Sequence, residues 1–237
     1  MLNQSLETRR KRPSVSVPFM ILGVLFCVCL IAANLLETKQ VAVGPFSLTA
    51  GLIVFPVSYI INDCMVEVWG FRRARLIIWL GFFMNFLFVF FGFVADALPG
   101  APYWDGQEAF HAMFGPAPRI AGASFLAFLV GSFLNAYVMS RMKLGTTGEQ
   151  RFSLRAIAST VIGETADSLV FFPLAFGGVL PWDIMPELML NQVVLKTVYE
   201  VIALPVTLRV VHKLKAIEGD DIYDNGISYS PWRIFDL

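Results

Sequence analysis

Charge is scarce in this sequence. Of its 237 residues 15% are Asp, Glu, Lys or Arg, against roughly 25% in a soluble domain, and the shortfall argues against a water-soluble globule. The 18 basic residues balance 18 acidic ones, so no net charge points to nucleic acid or to an acidic partner. Cysteine is also rare. Cys27, Cys29 and Cys64 all fall in the membrane spans expected below, where small packing residues are expected rather than a metal or redox site. No nucleophile motif, metal-ligand cluster or Gly-rich phosphate loop is present, which speaks against an enzyme and against a resident cofactor. What fills the chain instead is apolar: 57% hydrophobic residues and 22 Phe, with a mean hydropathy of +0.66. These place it among polytopic membrane proteins, as one membrane domain.

A helix needs about 20 predominantly apolar residues to cross a hydrocarbon core of roughly 30 Å, because lipid offers an unpaired backbone amide no partner. Uncharged runs cover 13–36, 40–62, 76–95 and 120–140. Two more, 156–182 and 188–208, are interrupted by Glu164 and Asp167 and by Lys196 and Glu200. The expected fold is therefore all-α with six transmembrane helices at about 17–36, 47–67, 76–97, 120–140, 156–180 and 187–209. A basic N-terminal tail (1–16) precedes this domain (17–211), and a C-terminal tail (212–237) follows it.

Lys and Arg set the orientation. Alternate loops gather 15 of them on one side, Lys39 and Arg119 lie on the other, and Lys196 lies within a span. Both termini are thus expected in the cytoplasm. Arg9 to Arg12 followed by an apolar run resembles a signal peptide, but the run is too long for an h-region and reads as a retained anchor. The Pro99–Pro118 loop faces outward, either as a cap over an entrance or as mere connection. The tail from Glu218, with Asp220, Asp221 and Asp224, reads as polar and mobile, without a site.

Ionisable residues inside a membrane cost about 2.5–3.5 kcal/mol each even on lenient scales, so they are expected to face inward and to act. Asp63 and Glu67, Glu164 and Asp167, and Lys196 and Glu200 are spaced i,i+4, i,i+3 and i,i+4, each pair on one helix face. Asp63 lies nine residues before Arg72, Glu164 nine after Arg155, and Glu200 nine before Arg209. Three carboxyls from three helices therefore reach one level, about 13 Å above the cytoplasmic arginines. Asp167 and Lys196 form a second layer and the expected buried ion pair, while Glu67, near Arg72, is expected at the interface. Pro56, Pro173 and Pro205 interrupt the same three helices, where breaks free backbone groups for a ligand. Asn85 and Asn135 read as interhelical glue. An acidic pair on the middle helix of each three-helix half hints at a 3+3 inverted repeat.

The run from Asn62 to Arg75 (NDCMVEVWGFRRAR) resembles the signature of the queuosine precursor transporter family. Further matches are Ser124 to Phe128 with Leu134-Asn135, Arg155 to Ser159 with Gly163-Glu164, Asp167-Ser168 and Phe171-Phe172, and Lys196, Tyr199-Glu200 and Pro205. The resemblance spans about Leu22 to Val211. It implies import of 7-cyano- or 7-aminomethyl-7-deazaguanine across the bacterial inner membrane by a secondary permease. The candidate substrate-binding set is Asp63, Glu67, Asn135, Glu164, Asp167, Phe171, Lys196, Tyr199 and Glu200. A buried carboxylate accepts the adjacent ring N–H and amine of such a base, Lys196 donates to its carbonyl, and Phe171, Phe172 or Tyr199 stack on it. A homodimer is left open. The alternatives are a substrate-binding subunit of an energy-coupling-factor importer and an intramembrane enzyme using Glu164 and Asp167 as acid and base.

Overall fold

The computed structural model describes residues 15–36, 39–43, 46–115, 117–144, 151–178, 181–219, 222–224, 226–230 and 232–233. The N-terminal arginine cluster, Asp220 and Asp221 lie outside these. Among the described residues six helices carry the fold: α1 Val17–Leu36, α2 Phe55–Ala97, α3 Gln107–Phe114, α4 Ala117–Leu144, α5 Phe152–Phe176 and α6 Met185–Glu218. An antiparallel hairpin of β1 (Gln40–Val43) and β2 (Phe46–Thr49), followed by a 3-10 turn over Ala50–Ile53, separates α1 from α2. The helix expected from residue 47 therefore starts only at Phe55, and this hairpin is the exception to an otherwise helical chain. Pro56 sits in the first turn of α2 and breaks nothing, since a first-turn proline loses no helical hydrogen bond. Pro173 and Pro205 do lie inside α5 and α6.

The 43 residues of α2 would run about 65 Å if straight, twice the bilayer core. They fold back instead. Gly70, at φ 81° and ψ 168°, occupies a backbone region essentially reserved for glycine and divides α2 into two arms, 55–69 and 71–97. Phe128 of α4 shows the reversal, because it meets Phe55 and Tyr59 of the first arm at ring distances of 5.5 and 5.8 Å and Phe82 of the second at 5.2 Å. The two arms are thus the second and third helices expected from sequence, joined without a loop.

The remaining helices are placed against this hairpin. On α1, Phe19 packs on Trp69 near the turn and Phe26 reaches Phe128, so α1 starts at the Gly70 end. At that same end Lys143 of α4, Arg155 of α5 and Lys215 of α6 converge on Glu67. Arg119, at the other end, bonds the carbonyls of Leu174 and Gly177. Helices α4 and α5 approach closely at two glycines: a Cβ on Gly131 would lie 2.9 Å from the Gly163 carbonyl oxygen. Four stretches, Val17–Leu36, Ala50–Ala97, Gln107–Leu144 and Phe152–Phe176, are long and apolar enough to cross a membrane.

Two segments differ from expectation. The loop between the second arm of α2 and α4 contains α3, whose Phe114 packs on Phe88 and whose His111 pairs with Asp96 at 2.7 Å. The C-terminal tail is docked. Asp224 accepts the Phe71 amide at 2.9 Å and the Ser140 hydroxyl, while Arg75, fully buried, donates to the Ser228 and Ser230 carbonyls at 3.1 and 2.8 Å. Tyr229 stacks on Phe71 and Tyr137, and Trp232 on Trp79. Residues 222–224, 226–230 and 232–233 form a strap over the Gly70 turn.

Candidate functional site

Phe55, Tyr59, Asp63 and Glu67 recur every fourth residue along the first arm of α2, one stripe facing the bundle interior. All four are buried. The stripe meets α5 and α6 at two levels, each with its own charge balance.

At the upper level Lys196 of α6 lies 2.6 Å from Glu164 Oε2 and 3.8 Å from Asp167 Oδ2, with its ammonium 3.8 Å from the centre of the Phe55 ring. The closer ion pair is with Glu164, not with Asp167 as the layer count implied. Tilt explains this: rise along separate helices fixes level to within a turn, whereas side-chain reach selects the partner. Asp63 accepts the Asn135 side-chain amide on one oxygen at 2.7 Å, and Glu200, one turn along α6 from Lys196, is buried as well. Two carboxyls thus face one ammonium, and two more, Asp63 and Glu200, are buried on the neighbouring helices. Several buried polar atoms here have no hydrogen-bond partner among the described residues, including Asp63 Oδ2, Glu164 Oε1, Glu200 Oε2 and the Tyr59 hydroxyl. Buried acceptors of this kind are costly unless a proton, cation or hydrogen-bond donor meets them.

The lower level is the reverse. Glu67, expected at the interface, is buried, with Arg155 and Lys215 each 2.8 Å from Oε1 and Lys143 at 3.9 Å. Lys143 also donates to the Glu67 main-chain carbonyl. Its five-residue separation from Arg72 measured depth along one helix and said nothing about cations arriving from three others. Beside it opens a cavity of about 450 Å³ lined by Phe152, Leu208, Arg209, His212 and Lys215 as well as Glu67, but by none of the upper carboxyls.

Of the nine residues singled out from sequence, Asp63, Asn135, Glu164, Asp167, Lys196 and Glu200 come together at the upper level, and Glu67 lies below. Phe171 is buried in a separate aromatic group with Phe172 and Phe176. Tyr199 is 36% exposed on the outer surface of the helices, one residue out of phase with Lys196 and Glu200. Phe55 and Tyr59 were missed, although their i,i+4 phase with Asp63 is the signal that marks them.

Residues 49–210 match the family described as "Putative vitamin uptake transporter". The chain belongs to that transporter family. This member is 28% identical over 177 residues to a probable queuosine precursor transporter of Bacillus subtilis, covering 74% of this chain and 76% of the relative. It is 29% identical over 155 residues to the queuosine precursor transporter of Escherichia coli, covering 65% and 67%. With a probable queuosine precursor transporter of Haemophilus influenzae it shares 30% over 131 residues, covering 55% and 53%. No solved structure matches. The transporter is thus a multi-pass bacterial membrane protein rather than an enzyme, and the docked strap, whose described residues begin at Ile222, lies beyond the matched span.

Proposed function

We propose that this transporter imports queuosine precursors, 7-cyano- or 7-aminomethyl-7-deazaguanine, across the bacterial inner membrane as a secondary permease. The observation that carries the reading is the upper level itself: Lys196 between the Glu164 and Asp167 carboxyls, with Asp63 and Glu200 buried too and acceptor oxygens unmet among the described residues, in a chain of a transporter family. A deazaguanine supplies an adjacent N–H and amine for the Glu164 and Asp167 carboxyls and a carbonyl for Lys196. Phe55, against the Lys196 ammonium, and Tyr59, which packs on it, offer aromatic surface at this level, whereas Phe171 and Tyr199 do not. Asp63, Asn135 and Glu200 close the same space, and Glu67 lies on the path below it.

Six crossings with both termini in the cytoplasm accompany this reading. It is supported by the two arms of α2, by the 34-residue length of α6, and by the gathering of Arg75, Lys143, Arg155 and Lys215 at one end. A 3+3 inverted repeat is in keeping with acidic pairs on the middle helix of each three-helix half, Asp63/Glu67 and Glu164/Asp167. A homodimer is part of the proposal only as an open assembly state. Relatives named as transporters in their own right favour the permease over an energy-coupling-factor subunit.

The test is accumulation of labelled deazaguanine in cells unable to make queuosine and lacking energy-coupling ATPases. The intact chain is expected to restore uptake. Glu164→Gln and Lys196→Met are expected to lower it at least tenfold, about 1.4 kcal/mol or more of lost interaction. An intact chain that moves no base in this host would exclude the assignment.

A further inference from the structure

The cavity beside Glu67 is not the place where the base is read. Phe152 of α5 and Leu208, Arg209, His212, Lys213 and Lys215 of α6 line it, and none of the carboxyls at the Lys196 level does. Its wall is basic. Glu67, the one carboxylate that lines it, is already met by Arg155 and Lys215 at 2.8 Å each, so it leaves no negative charge for the other cations. Arg209 and Lys213 stand exposed at the rim, and neither meets a carboxylate among the described residues. A deazaguanine is neutral or, with its aminomethyl group, cationic, and gains nothing from such a wall. An anion does gain, because cations gathered against a low-dielectric helix surface repel one another until a negative group lies between them.

The basic rim also continues into an apolar face. Ile202, Val206, Arg209 and Lys213 stand at i, i+4, i+7 and i+11 along α6, one side of the helix, and Ile202 and Val206 are exposed. In a membrane protein that side meets acyl chains. The cavity itself, about 450 Å³, has the volume of a small-molecule site, about 300–1,000 Å³. A molecule with an anionic head and apolar chains is therefore matched at both ends.

We propose that this cavity binds the phosphodiester head group of an anionic phospholipid, paired with Arg209 and Lys213, with the acyl chains lying along Ile202 and Val206. Basic pockets between membrane helices at the cytoplasmic surface suit such head groups. Lys215, held by Glu67, closes the inner wall, and Phe152 places the start of α5 against the same lipid. The leaflet that supplies the lipid follows from the orientation argued above; the binding depends neither on that orientation nor on the solute carried.

The experiment is native mass spectrometry of the full chain in detergent, offered phosphatidylglycerol and phosphatidylcholine with the same acyl chains at equal concentration. The unaltered protein is expected to retain one phosphatidylglycerol at least tenfold in preference to phosphatidylcholine. Arg209→Gln combined with Lys213→Gln is expected to bring that preference to within about twofold. Arg73→Gln combined with Arg141→Gln removes the same charge away from the cavity and should keep it. Millimolar inorganic phosphate should leave the lipid in place. No preference in the unaltered protein, or equal loss in both double variants, would overturn the proposal, the second outcome marking a diffuse attraction to the basic end. Phosphate that displaces the lipid would make this a site for soluble anions and overturn it as well. If the cavity variant does not fold, hydrogen exchange of the unaltered protein decides: slower exchange over 208–215 with phosphatidylglycerol, but not with phosphatidylcholine, supports the site, and equal exchange refutes it. Since no step reads uptake, failure here leaves the transport reading untouched.

Discussion

Glu67 shows how strongly single residues are tied here. One carboxylate answers Arg155, Lys215 and Lys143, cations from three helices, and removing it would leave those charges to repel in a poorly solvated region. Glu67→Gln is expected to destabilise the protein by about 3–5 kcal/mol, the usual cost of breaking a buried ion pair from one side. Thermal unfolding in detergent reads it, and an unchanged midpoint would contradict the arrangement. Lys196→Arg tests a different property. The Lys196 ammonium fits between Glu164 and the Phe55 ring, a place shaped for a compact point charge rather than a planar fork. Uptake by Lys196→Arg is expected to stay several-fold below that of the unaltered chain. At this scale the sequence disclosed which residues were costly and which shared a helix face. It did not disclose the partners, because Lys143 and Lys215 lie 76 and 148 residues from Glu67 and only packing of separate helices joins them.

Among the elements, α2 and the strap depend on each other. Gly70 makes the reversal, and a Cβ there would stand 2.8 Å from Asp224 Oδ1, so alanine meets both an unfavourable backbone angle and the strap. Gly70→Ala is expected to cost about 1–3 kcal/mol, measured as a lowered unfolding midpoint. Asp224→Ala removes the acceptor for the Phe71 amide and the Ser140 hydroxyl, a loss of about 1–3 kcal/mol. It should also make residues 222–233 cleavable by added protease, whereas the unaltered strap resists. Long apolar runs made α1, α4 and α5 legible to within a few residues. The strap was not legible: its composition is that of an exposed tail, and its order comes from carbonyls that accept from Arg75, a contact that composition cannot express. The hairpin β1–β2 was missed for a related reason, since a short apolar stretch does not by its pattern distinguish strand from helix.

For the whole molecule, the distribution of Lys and Arg along the chain and their gathering at one end of the bundle point the same way. Reporter fusions at residue 16 and after residue 218 are both expected to report a cytoplasmic location, and a fusion within 99–106 an external one. Opposite results for the first two would remove the six-crossing reading. The bundle holds excess acid at one level and excess base at the next, an alternation that neither the zero net charge nor the single-helix spacing reveals.

The strap has a consequence for how the protein is made. Its acceptor for the Phe71 amide is synthesised 153 residues after that amide, so the Gly70 turn must be inserted and hold its shape while its polar groups are still served by water. The underside of the bundle is sealed last, and until then the nascent protein carries an unfinished floor that quality-control proteases could recognise.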